Sequence, residues 1–130
     1  MTVREIAEAV IKSEKAMREY NIMEVQSSTD YFPGLTAQPI GYEEAVQFSS
    51  PMTPPPNVGY VFRLSEDADV AAFKKQLEDN ADKGWAICVF ADTAVIESCE
   101  NYVLFALYAK GGDITEATEG KLKTAFKNCF

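Results

Sequence analysis

The chain has 130 residues, 47% hydrophobic and 25% charged, with a formal net charge of −8. That length suits one domain over 1–130, large enough to bury about two-thirds of its unfolded surface without metal or disulfide staples. The acidic balance disfavours nucleic acid and anionic lipid as general partners, the lack of histidine removes Ser-His and Cys-His nucleophile systems, and no apolar run is long enough for a membrane span.

"MTVREIAEAVIKSEKAMREY" opens with a capping box, Thr2 with Glu5, and places Val3, Ile6, Ala7, Val10 and Met17 near helical spacing. A helix is predicted over 2–19. It is a charged amphipathic segment and not a secretory leader, so the chain reads as cytosolic or as the mature part of an exported protein. Residues 21–41 show no sustained period and are punctuated by Asp30, Pro33-Gly34 and Pro39. They still carry Ile22, Met23, Val25, Tyr31, Phe32 and Leu35, which suits a loop laid over the core.

"YEEAVQFSS" alternates, with Tyr42, Val46 and Phe48 on one face, and predicts a strand over 42–49. "PMTPPPN" follows. A second strand, 58–64, comes directly after it, so the prolines are expected to form an ordered connection between two strands of one sheet, with a partner-binding polyproline loop as the alternative. A linker there would cut the sheet. "SEDADVAAFKKQLEDNADKG" predicts a helix over 66–82, capped by Asp67 or Asp69 and stopped by Gly84. Strands over 93–98 and 102–108 follow, joined by a tight turn around Cys99–Asn101. The second is apolar on both faces, the pattern of a central strand. Gly111-Gly112, an Asp113 cap and Glu116 predict a last helix over 113–128. The order α-ββ-α-ββ-α predicts an α+β two-layer sandwich, with a four-stranded, mainly antiparallel sheet and its helices on one face.

"SSPMTPPPNVGYVFRLSEDADVAAFKKQL", then "DKGWAICV", then "CENYVLFALY" is similar to an uncharacterised family of small extracytoplasmic domains of Gram-positive bacteria. Its members are commonly lipid-anchored. The resemblance covers about residues 40–110 and rests on pattern, not on a catalytic signature. It implies an envelope location and no particular activity. The lipobox and leader of that family are not found in this sequence.

Four groups of residues are weighed as sites. Asp67 and Asp69 lack the further oxygen ligands of a calcium loop and read as helix caps. Gly111-Gly112 would cradle phosphate only if Asp113 did not occupy the same place. Glu43, Glu44, Glu97 and Glu100 would serve a glycan hydrolase if two of them faced each other at working distance. Tyr31, Phe32, Tyr42 and Trp85 would line an apolar groove, joined by Met52, Pro54 and Pro55 of the proline segment. The expectation is a non-enzymatic envelope domain binding a protein or cell-wall partner, with a carboxylate-dependent glycan hydrolase as the alternative. No cofactor or metal is expected: Cys88, Cys99 and Cys129 have no zinc spacing. All three are predicted to be free thiols, with Cys129 a small buried hydrophobe.

Overall fold

The structure is a computed structural model that describes residues 1–25, 31–52, 55–86 and 89–130. The Glu5 amide donates to Thr2 Oγ1 (3.1 Å) and the Thr2 amide to Glu5 Oε1 (2.9 Å). This capping box starts α1, Val3–Lys12, which buries Val3, Ile6, Ala7, Val10 and Ile11. The helix is shorter than the predicted 2–19. The Ser13 hydroxyl donates to the Val10 carbonyl (2.6 Å), a local bond that competes with helix continuation. Glu14 then turns extended, and a 3-10 turn, Lys15–Met17, drops Met17 into the core.

Asn21–Glu24, expected within a loop, is strand β1. It pairs antiparallel with β2, Tyr42–Ser49, setting Ile22 opposite Phe48. Its four residues are too few for alternation to declare itself in sequence. β2 pairs in turn with β3, Val58–Leu64. Their connection holds the prolines, and its described residues are tied down at two points. The Ser50 amide donates to the Asn57 carbonyl (3.3 Å), and the Trp85 indole donates to the Pro56 carbonyl (3.2 Å). Thr53 and Pro54 lie outside the described residues.

Helix α2 is Val70–Asn80, capped by Asp69, whose Oδ1 accepts from the Ala72 amide (3.0 Å). β4, Thr93–Cys99, and β5, Tyr102–Tyr108, form a hairpin through Glu100-Asn101, with Glu100 at a positive φ of 54°. Helix α3, Thr118–Lys127, begins five residues later than predicted. The box expected at Asp113 and Glu116 does not form. The Gly111 and Ile114 amides each donate to the other's carbonyl, Lys110 holds Glu116 at 2.9 Å, and Thr118 Oγ1 accepts from the Thr115 amide.

The sheet therefore has five strands, not four, in the order β1-β2-β3-β5-β4 with every neighbouring pair antiparallel. Its helices cover both faces, which corrects the two-layer expectation. α1 and α3 pack on Val46, Phe48, Val61, Leu104 and Ala106, while α2 packs on Tyr60, Phe62, Val103, Phe105 and Leu107. The cause is in β3 and β5. Both strands are apolar on each side, and each side needs a cover.

Candidate functional site

The loop from Tyr31 to Leu35 lies on the α2 face and borders a recess of the sheet. Phe32 is buried, its ring 5.6 Å from that of Tyr60 and 6.2 Å from that of Tyr42. The Tyr60 hydroxyl donates to the Pro33 carbonyl (2.7 Å) and accepts from Gln47 Nε2 (3.4 Å). Burial holds the Tyr60 phenol well above its ordinary pKa, so it remains a donor and pins the loop to the sheet. Gly34, at φ +92°, lies so close to β3 and β5 that a Cβ there would come within 2.9 Å of Val58 Cγ1.

Between this loop and the β1–β2 edge lies a pocket of about 300 Å³, with Val25, Phe32, Pro33, Gln47 and Tyr60 in its lining. Met23 and Tyr31 belong to the same lining and are 58% and 65% exposed, so they frame its mouth. Glu24 adds one carboxylate at the rim. The recess offers apolar area, the Gln47 amide and a negative charge. Among its lining residues there is no nucleophile paired with a base.

The seven residues singled out in sequence do not gather here. Tyr31 and Phe32 do, and Tyr42 stands behind Phe32 in a chain of rings, tilted against Phe62 at 5.5 Å. Trp85 is a tie between the proline segment and the α2-side core. Pro55 borders a separate groove with Pro51, Tyr20 and Ile114. Met52 is 74% exposed just beyond Ser49, the end of β2 that lies seven residues, or about 23 Å along the strand, from Tyr42. Pro54 falls outside the described residues. Met23, Val25, Gln47 and Tyr60 were not anticipated as site residues. The signal was the apolar pair Met23 and Val25 in a stretch read as loop.

The remaining candidates resolve into structural roles. Asp69 caps α2, and Asp67 accepts from the Ser65 hydroxyl (2.8 Å). Among the described residues no three metal-binding side chains cluster. Arg63 holds Glu43 at 3.2 Å and Glu44 at 3.8 Å, and Lys127 holds Glu97 at 3.6 Å. Cys99 and Cys129 are free and half-buried; the Cys129 thiol, pushed up by burial, donates to the Ala125 carbonyl (3.3 Å). Cys88 lies outside the described residues. No helix among the described residues is long and apolar enough to cross a membrane. Comparison with protein-family models, with curated proteins and with solved structures gives no match.

Proposed function

We propose that the chain is a non-enzymatic binding domain of the cell envelope whose partner is a protein, gripped at the pocket framed by Met23 and Tyr31. The observation that carries this reading is the exposure of those two side chains over a recess walled by buried aromatic rings. Methionine and tyrosine are enriched where proteins meet, and anchors that fill pockets dominate binding energy. Glu24 favours a basic residue beside the partner's apolar anchor. The envelope location rests on the family resemblance.

Glycan hydrolysis needs two carboxyl groups about 5–9.5 Å apart. Glu44 on β2 and Glu97 on β4 are separated by β3 and β5, three strand spacings or about 14 Å. Glu43 and Glu44 lie close together, but as exposed partners of one guanidinium, Arg63, and not across a cleft, so that reading is the weaker of the two.

The test is capture from cell-envelope extract and from purified cell wall by the wild type, Met23→Ala, Tyr31→Ala and Met52→Ala. A protein should be captured by the wild type and by Met52→Ala, and about tenfold more weakly by the other two. Equal capture by Tyr31→Ala, or loss only with Met52→Ala, would overturn the site. Binding to cell wall alone would replace the protein partner with a glycan.

A further inference from the structure

β4 is an outer strand of the sheet, paired on one side with β5 and, among the described residues, with nothing on the other. It is seven residues long, contains no proline or lysine, and carries one charge, Glu97. Proteins usually blunt such an edge with lysine, proline, a bulge or a very short strand. The opposite edge is treated that way. β1 has four residues, and the glutamates Glu24 and Glu44 face the same recess beside it.

Charges of both signs surround β4. Lys83, Lys123 and Lys127 stand there beside Glu78, Glu97 and Glu119, with Asp92 and Glu100 at the two ends of the strand. At this edge each copy presents both signs, the self-complementarity that a two-fold interface requires. Ile96 and Ala94, both half-buried, face the open groove of about 560 Å³ between β4, α2 and Lys123.

From these observations we infer that the β4 edge pairs with the β4 edge of a second copy of this chain, antiparallel, joining two five-stranded sheets into one of ten strands. The two-fold axis passes at Ile96. This register sets Ile96 against the other copy's Ile96 on the α2 face. On the α3 face it sets Glu97 against Val95, so neither glutamate lies directly opposite the other. Centring the axis on Glu97 would oppose the two carboxylates.

Sedimentation of the wild type should show a monomer–dimer equilibrium. Ile96→Lys and Ser98→Lys should each raise the dimer dissociation constant at least tenfold, and Ile40→Lys, at an exposed position away from β4, should leave it unchanged. Ser98→Lys keeps the test alive if Ile96→Lys does not fold, since Ser98 is half-exposed and polar. In a background with Cys88, Cys99 and Cys129 replaced by serine, Ile96→Cys should cross-link on oxidation. Ala94→Cys should not, because its two copies stand four residues, about 13 Å, apart along the strands, beyond the ~7 Å reach of a disulfide. A wild type that stays monomeric into the millimolar range overturns the proposal. So does a dimer indifferent to both lysines, and cross-linking through Ala94→Cys in preference to Ile96→Cys overturns the register.

Discussion

Tyr108 is 1% exposed, and its hydroxyl has no protein hydrogen-bond partner among the described residues. An unmatched buried hydroxyl costs about 1–3 kcal/mol, so Tyr108→Phe should stabilise the protein by up to about that much in urea denaturation. Any loss of stability would mean that the hydroxyl is satisfied. Burial, and next the negative charge of Glu119, push the Tyr108 phenol up to about 12. An unfolded tyrosine ionises near pH 10, about where the native group still keeps its proton. The native state thus binds more protons from there upward, and stability falls as pH rises through the folded pKa. Denaturation midpoints should decline above about pH 10, less steeply for Tyr108→Phe; identical slopes would remove Tyr108 as the cause. Glu14 is the second buried polar residue with consequences, 1% exposed with Lys121 Nζ at 3.2 Å. Removing the lysine should cost about 1–3 kcal/mol, less than for a fully enclosed pair because Lys121 is half-exposed. Adding Glu14→Gln should restore part of that loss, and additive losses in the double-mutant cycle would show the two are uncoupled. Nothing in "IKSEKAM" marks Glu14 as buried. Its place follows from the helix ending at Ser13 and the extended backbone of Glu14.

Strands with an alternating or an unbroken apolar run were readable to the residue, as 42–49, 58–64 and 102–108 show. What alternation hides is a bulge. β2 pairs Tyr42 with Leu64 but Glu44 with Arg63, so Glu43 is the extra residue. The bulge moves Tyr42 to the α2 face, against the simple alternation that groups it with Val46 and Phe48. Helix ends failed for a related reason. Asp113 and Glu116 have the spacing of a box, yet Ile114 is buried by the turn and Glu116 is drawn to Lys110, so tertiary contacts overrode the local signal. Tyr31 and Phe32 were legible as site residues because large apolar groups in a loop are conspicuous. Gln47 and Tyr60 were not, since each sits in a strand where it fits the pattern. The β2–β3 pair also rests on a missing side chain. Gly59 lies opposite Phe48, and a Cβ there would overlap the Phe48 ring. Phe48 is itself buried and closed in by α1. Gly59→Ala should therefore cost about 1–3 kcal/mol, the usual penalty of overpacking, whereas a change within ±0.5 kcal/mol, about the surface range, would show that the ring moves freely.

At the scale of the molecule, the sheet separates two cores that share their strands. Leu104 and Phe105 are neighbours in β5, yet Leu104 faces α1 and α3 while Phe105 faces α2. The sequence signalled this through the unbroken apolar run "YVLFALY", which a sheet covered on one face would leave half exposed. The number of strands was harder to read, because β1 contributes little apolar pattern. The β3–α2–β4 connection also passes over β5, so β4 is reached from outside the hairpin order of the first strands. With β3 and β5 common to both layers, losing either core removes the support of the other. Phe105→Ala should cost about 3–5 kcal/mol and Leu104→Ala about 2–5. Both should lower one shared transition, compared at a fixed protein concentration so that any association is held constant. Trp85, the one tryptophan, packs against the α2-side core and reports on that layer by fluorescence. Far-UV circular dichroism reports on the whole chain. Coincident urea transitions from the two probes, in the wild type and in both variants, are the expected result for a cooperative unit. A Trp85 transition that moves with Phe105→Ala but stays still with Leu104→Ala would mean that the α2 layer unfolds separately from the α1–α3 layer.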